Sequence, residues 1–361
     1  MKPYADRLLA WFDVHGRHDL PWQQPRTPYR VWLAEIMLQQ TQVAAVIPYF
    51  QRFVGRFPDV QSLASAPADD VLQHWAGLGY YARARNLQRA AQLLVERHGG
   101  EFPRDIETLM ELPGIGRSTA AAVLAQAYGE RHAILDGNVK RVLARHGAVE
   151  GWPGEPAVAK RLWALSESLL PRGRMVDYTQ AIMDLGATLC TARNPACGRC
   201  PVSADCQALQ QDRVARFPAA RPRRERPLRQ ARLLLVENAR GELLFERRPP
   251  AGIWGGLWCL PIAEEGQDPA DHLLQHYGLS ASPGAELPPF SHGFTHFELQ
   301  LSPLRLRLEG RASAVREQDH LRWIDVATAE LPGLPAPVAR LLRQLGRQPA
   351  LDFQAKTASR Q

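Results

Sequence analysis

Four of the five cysteines in this chain follow the spacing Cys190-x6-Cys197-x2-Cys200-x5-Cys206. The segment is broken by Asn194, Pro195, Gly198 and Pro201, so it reads as one loop wrapped around a metal or cluster rather than as disulfides. A zinc site usually draws on two short Cys pairs. One tight pair flanked by longer spacers suits the wider corners of a cubane iron–sulfur cluster, with zinc as the alternative. Cys259, in Leu257-Trp-Cys-Leu260, reads as a core residue. A second chemical signal is Glu35, set in Val31-Trp-Leu-Ala-Glu-Ile-Met-Leu38, where every neighbour is apolar. Whichever helix face is buried, that carboxyl is desolvated and its pKa rises, as a general acid working near neutrality requires. The alternative is a buried Glu paired with an arginine. A third is Leu112-Pro-Gly-Ile-Gly116 before Arg117-Ser-Thr-Ala-Ala-Ala-Val-Leu124. There Gly114 and Gly116 give the backbone freedom to turn N–H groups and a helix N-terminus toward an anion, unless this is an ordinary helix–helix turn. Asp136, just before Gly137-Asn-Val-Lys-Arg-Val142, reads first as a helix N-cap.

The elements that must position these groups divide in two. Up to residue 212, apolar residues recur at helical spacing over Ala5–Phe12, Tyr29–Phe53, Val71–Trp75, Asn86–Val95, Ser118–Ala127, Val139–Arg145, Ala157–Leu170 and Thr179–Leu189. This half is predicted all-α. Residues 213–230 carry seven arginines against Glu225 alone, with three prolines. Such a segment should run extended and solvated, either as a spacer or against phosphates. From residue 231 the pattern turns to short β-rich runs at Arg232–Val236, Glu242–Phe245, Phe297–Leu301 and Leu304–Leu308, with helices near Ala270–Tyr277 and Ala336–Gln344, an α+β unit. The expected domains are 1–212 with the cysteine loop 190–206, a linker 213–230, a second domain 231–347, and a disordered tail 348–361. With 361 residues, 45% hydrophobic and 22% charged, the chain can bury a core. Its net charge of +7 invites an acidic partner. No apolar stretch long enough for a membrane span and no signal-peptide block is evident, so a cytoplasmic protein is expected.

Taken together, Trp32-Leu-Ala-Glu-Ile-Met-Leu-Gln-Gln-Thr-Gln-Val43, Gly77-Leu-Gly-Tyr-Tyr-Ala-Arg-Ala-Arg-Asn-Leu87, Leu112-Pro-Gly-Ile-Gly-Arg-Ser118, Leu135-Asp-Gly-Asn-Val-Lys-Arg-Val142 and the cysteine spacing resemble the MutY-type adenine DNA glycosylases, a branch of the helix-hairpin-helix endonuclease III superfamily. The resemblance covers nearly the whole chain. It implies an all-α helix-hairpin-helix glycosylase domain with a [4Fe–4S] cluster on Cys190, Cys197, Cys200 and Cys206, then an α+β Nudix-like domain. It also implies excision of adenine mispaired with 8-oxoguanine or guanine in double-stranded DNA, by a monomer acting at the nucleoid.

Breaking an N-glycosidic bond needs a protonated leaving base and an anion beside an oxocarbenium-like sugar, a demand shared with glycoside hydrolysis. By the resemblance Glu35 protonates adenine, Asp136 stabilises the sugar cation, and Asn138 orients water or Asp136. Trp22 and Asp184 belong to the adenine pocket, with Gln23 standing where close relatives often carry Arg. Gln40, Thr41, Leu78 and Tyr80 wedge into the base stack, and Gly114, Gly116 and Ser118 form the hairpin region at the DNA. In endonuclease III-type relatives a lysine at the position of Ser118 forms a Schiff base with the sugar. Serine lacks the amine, so a monofunctional enzyme with little or no lyase activity is implied.

In the second half, Arg248-Pro-Pro-Ala-Gly-Ile-Trp-Gly-Gly-Leu-Trp-Cys-Leu-Pro261 resembles the Nudix fold. The helix that should carry its magnesium-binding glutamates has His272, Gln275 and His276 instead, which argues against nucleotide hydrolysis and leaves a recognition module. The loop Phe290-Ser-His-Gly-Phe-Thr-His296 matches the family segment that contacts 8-oxoguanine, with Phe294, Thr295 and His296 standing where relatives have Phe-Ser-His. The alternatives are an endonuclease III-like lyase, a non-catalytic lesion binder and a nucleotide-pool hydrolase. Ser118, the Glu35–Asp136 pair and the missing glutamates count against each in turn.

Overall fold

The computed structural model describes residues 2–222, 225–249, 252–294, 296–309, 320–329 and 331–346. Their contacts group into two units: one from 1–67 with 83–223, the other from 68–82 with 224–361. Thr295, the 348–361 tail and residues 223–224 of the linker lie outside the described residues.

The first unit is helical: α1 (Tyr4–His15), α2 (Pro28–Leu38), α3 (Val43–Arg56), α4 (Val60–Ser65), and, beyond α5 (Ala68–Trp75) of the other unit, α6 (Ala82–His98), α7 (Ile106–Met110), α8 (Arg117–Tyr128), α9 (Gly137–His146), α10 (Pro156–Ser168), α11 (Met175–Asp184) and α12 (Gln207–Gln210). Local chemistry starts many of them. Pro28 sits in the first turn of α2 behind the Thr27 cap, and Asp59, Asp105 and Asp136 cap α4, α7 and α9 by accepting backbone N–H bonds. One face of each helix then closes the core, where Leu8, Val139, Leu143, Leu162 and Leu185 are fully buried, each worth roughly 1.5–3 kcal/mol relative to exposure.

Two sequence expectations change here. The run Tyr29–Phe53 is not one helix, because α2 stops at Leu38 and α3 starts at Val43. A buried guanidinium decides this: Arg83 donates to the carbonyls of Ile36, Met37 and Gln39 at 3.0, 2.8 and 2.6 Å and to Thr41 Oγ1 at 3.4 Å. It satisfies carbonyls that would otherwise need a further helical turn, and Gln40 takes the left-handed conformation at φ 60°. The basic linker is likewise shorter than its composition suggests. Phe217 is buried in the helical core, Arg145 Nε donates to its carbonyl at 3.0 Å, and the first strand already begins at Leu228.

The second unit holds α5, strands β1 (Leu228–Glu237), β2 (Leu243–Arg247), β3 (Trp258–Cys259), β4 (Ile262–Glu264), α13 (Pro269–Tyr277), β5 (Ala281–Glu286), β6 (Phe290–Gly293), β7 (Glu298–Leu308), β8 (Leu321–Ile324) and α14 (Ala336–Gly346). The sheet order is β3-β2-β1-β7-β5, with β4 on β1, β6 on β7 and β8 on β2. β1 and β7 run parallel from Leu228 opposite Glu298 to Glu237 opposite Arg307. The two predicted runs at Phe297–Leu301 and Leu304–Leu308 are one strand. Pro303 lacks an N–H but its carbonyl still accepts from Leu287 at 2.9 Å, so the ladder continues through it. Leu234, Val236, Leu244, Leu273 and Leu304 fill the core, and Cys259 is fully buried as its apolar setting predicts.

Candidate active site and cluster loop

A cavity of about 730 Å³ opens in the helical unit between α2, the Gln40–Ala44 segment, the start of α9 and the end of α11. Its lining includes Trp22, Glu35, Gln40, Thr41, Asp136 and Asn138, six residues that the sequence placed in catalysis or base handling. Glu35 comes from the middle of α2. Burial drives its carboxyl up to about 8, the neighbouring Asp136 adds to the rise, and a hydrogen bond from Gln126 Nε2 at 3.4 Å opposes it. Among the described residues the groups bearing on Glu35 are Asp136 and Gln126, not the arginine of the alternative reading.

Asp136 does cap α9, accepting from the Val139 N–H at 2.7 Å, while its residue still borders the cavity. Burial raises its pKa, and the Val139 bond, Arg141 and Lys140 pull it back. Asn138 Oδ1 accepts from Arg141 Nη2 at 2.8 Å, which fixes the amide at the cavity wall. Gly186 stands against it: a Cβ there would lie 2.7 Å from Asn138 Cβ and 3.1 Å from its backbone, so only glycine allows the approach.

Asp184 lies one step behind the cavity. Fully buried at the end of α11, it receives the Arg17 N–H at 2.7 Å, Arg17 Nε and Nη2 at 2.9 and 2.6 Å, and Gln180 Nε2 at 2.7 Å. Its acceptors are committed, and the side of that pair lining the cavity is Arg17. Sequence reasoning missed Arg17 because its partner lies 167 residues away. Asp184 is buried but the Arg17 side chain is 26% exposed at the cavity, so Asp184→Asn should destabilise the protein by about 1–3 kcal/mol in urea unfolding, the cost of weakened buried hydrogen bonds rather than of a stranded charge. Trp22 is buried edge-on against Phe50 with ring centres 5.4 Å apart. Gln23 does not line the cavity: its side chain accepts from Leu20 N and donates to Arg17 O, closing the loop that presents Arg17.

The hairpin divides its glycines. Gly114 has φ 81° and needs glycine, whereas Gly116 is an extended N-cap of α8 with open space beside it, so its value is an uncovered helix N-terminus rather than a strained backbone. Ser118 Oγ accepts from Leu135 N at 3.0 Å, tying the start of α8 to the residue before Asp136. Leu78 and Tyr80 fall in the second unit, the former buried and the latter 51% exposed at φ 49°. In that unit Phe294 stacks on Phe297 at 4.5 Å and meets His292 edge-on at 4.8 Å, and His296 is exposed. His272 and His276 stack at 4.3 Å on α13.

Cys190, Cys197, Cys200 and Cys206, all unbridged, line one apolar cavity with Val142, Leu185, Leu189 and Val202. Burial pushes the Cys200 thiol up to about 11 and raises Cys206, so thiolates there need a strongly cationic guest, which iron supplies. The donor set therefore fits a cluster. The arginines that grip this loop are Arg141 and Arg145, one turn apart on α9. Arg141 Nε donates to Cys190 O at 2.7 Å, and Arg145 Nη1 to Thr191 O at 2.7 Å and Cys190 Sγ at 3.4 Å.

Residues 33–168 match the HhH-GPD superfamily of base excision DNA repair proteins, 190–206 the iron–sulfur binding domain of endonuclease III, and 232–344 the NUDIX domain. The cysteine loop thus holds a [4Fe–4S] cluster, and zinc is set aside. Among solved structures, a thermostable thymine-DNA glycosylase aligns at TM-score 0.51 and 28% identity, covering 58% of this chain and 95% of that one. An endonuclease III bound non-covalently to DNA aligns at 0.50 and 25%, covering 58% and 94%. The adenine DNA glycosylase of Buchnera aphidicola subsp. Acyrthosiphon pisum is 34% identical over 339 residues, 94% of this chain and 96% of that protein. The adenine DNA glycosylase of Rattus norvegicus is 37% identical over 380 residues, 89% and 73% of the two chains. Matches of that extent run through both units, and the chain belongs to the adenine DNA glycosylase family of base excision repair enzymes.

Proposed function

We propose that this enzyme hydrolyses the N-glycosidic bond of adenine paired with 8-oxoguanine or guanine in double-stranded DNA, without a lyase step. One observation carries the reading: a buried carboxyl that keeps its proton near neutrality shares a cavity with a second carboxylate held by a helix N-terminus. An adenine extruded from the duplex enters that cavity. Glu35 delivers its proton to the base, and the Asp136 carboxyl, which accepts the Val139 N–H at the head of α9, faces the positive charge growing on the sugar. Asn138, locked by Arg141, orients the attacking water.

Ser118 offers a hydroxyl already accepting from Leu135 N, and no amine for a Schiff base. The Gly116 end of α8 supplies uncovered N–H groups for backbone phosphate. Gln40 and Thr41, on a turn that Arg83 holds, wedge into the base stack where the base is flipped, and Leu78 and Tyr80 are further DNA contacts. Cys190, Cys197, Cys200 and Cys206 would hold the [4Fe–4S] cluster, which would cross-link their loop and keep it rigid against DNA. Phe294, Thr295 and His296 read the opposing 8-oxoguanine. Catalysis falls to the helical unit, extending to Phe217 rather than ending at 212, and recognition to the sheet unit from Leu228, in an enzyme acting as a monomer at the nucleoid.

The test is single-turnover cleavage of duplexes carrying adenine opposite 8-oxoguanine, adenine opposite guanine, or oxidised thymine opposite adenine, each with and without alkali. Alkali-dependent breaks at adenine alone are expected. Direct breaks at oxidised thymine would move the enzyme to the endonuclease III type. In the same assay Phe294→Ala with His296→Ala should shrink the preference for 8-oxoguanine over guanine roughly tenfold or more, the scale of a lost stacking and hydrogen-bonding pair. An unchanged preference removes this loop as the reader.

A further inference from the structure

We infer that Gln126 is a positioning residue for Glu35: its amide holds the acid's carboxyl and governs the pH at which the proton is given up. The inference rests on the proposed role of Glu35 as the acid. Gln126 is 3% exposed and follows the run Ala120, Ala121, Ala122, Val123, Leu124 and Ala125, which is buried on every side of α8. An amide in such a wall carries a desolvation penalty that an apolar side chain would avoid. Its Nε2 donates to Glu35 Oε1 at 3.4 Å, and its Oε1 is buried with no partner among the described residues. The amide thus has one hydrogen-bond partner, the carboxyl, and a spare acceptor beside it.

As placed, the N–H favours the ionised carboxylate. A half-turn of the near-isosteric amide would instead offer the spare oxygen to a protonated carboxyl. The two bonds are unequal, since one to a charged group is about twice as strong as one between neutral groups, so the balance lowers the carboxyl's proton affinity against the burial that raises it. The charged groups lining the cavity with Glu35 are Asp136, Arg17 and Arg141, and Arg83 lies at the end of α2. Asp136 bears on Glu35 directly, and Arg141 and Lys140 act through Asp136. Gln126 therefore sets how high the pH can rise before this buried carboxyl stands ionised.

The experiment is the pH dependence of single-turnover adenine excision by the full-length, cluster-loaded enzyme with Gln126→Met, which keeps the length and loses the amide, and Gln126→Leu. Both should move the alkaline limb upward by about half to one pH unit, the size of a charge-assisted hydrogen bond less a neutral one. Duplex affinity and the plateau rate should stay within a few-fold. A limb that stays in place or moves to lower pH overturns the inference, as does a uniform loss of rate at every pH, the mark of a merely structural residue. Glu35→Gln measured alongside separates the failures. If it retains excision, the acid has been misassigned; if it is inactive while the limb is unmoved in both Gln126 variants, only the role of Gln126 falls.

Discussion

Glu35→Gln is expected to reduce single-turnover excision by about three to four orders of magnitude while leaving duplex binding intact, because general acid catalysis is worth roughly 10²–10⁴ and adenine leaves poorly without a proton. In the unaltered enzyme the rate should hold through neutrality and fall above a pH near 8, where burial sets this carboxyl's titration. The same shift makes a stability prediction of known sign. The folded pKa lies above the unfolded one, so below the ordinary carboxylate range both states are protonated and the group is neutral in effect. As pH rises toward 8 the unfolded chain releases the proton that the folded chain retains, and stability is lost across that window. Glutamine removes the loss, so the inactive variant should unfold at higher urea than the parent at pH 8, by an amount on the order of a few kcal/mol. Equal activity, or lower stability at that pH, would count against a buried protonated acid.

Asp136→Asn is the companion case, and it separates two roles that one residue combines. Asparagine is as good a helix cap as aspartate and can accept the Val139 N–H in the same geometry, so α9 and the fold should be preserved. What it cannot supply is the negative charge beside the developing sugar cation. Excision should fall about 10²–10³-fold with the melting temperature within a degree or two, the magnitude found when a preorganised electrostatic partner is removed. Asp136→Ala should lose the cap as well, adding about 1 kcal/mol of destabilisation. A rate for the asparagine variant within tenfold of the parent would reduce Asp136 to a cap.

The nature of these two carboxylates was legible in sequence for local reasons. Every neighbour of Glu35 is apolar, so any packing of α2 desolvates it, and Asp136 precedes a helix whose first N–H groups need an acceptor. The same holds for the cysteine loop, for the change from helical to strand periodicity, and for Cys259 in its apolar run. These are properties of short stretches of chain. The break between α2 and α3, the committed state of Asp184 and the hydrogen bond from Gln126 are of another kind. Arg83 reaches Gln39 from 44 residues away, Arg17 meets Asp184 across 167, and Gln126 meets Glu35 across 91. No periodicity encodes such pairs, because each side chain satisfies a partner brought near only when separate helices pack. Short stretches of chain thus sufficed for the desolvation of Glu35, the cap at Asp136 and the cysteine loop. Which buried polar groups met was settled by packing, because leaving a buried donor or acceptor unpaired is costly and the partner on offer depends on the packed core.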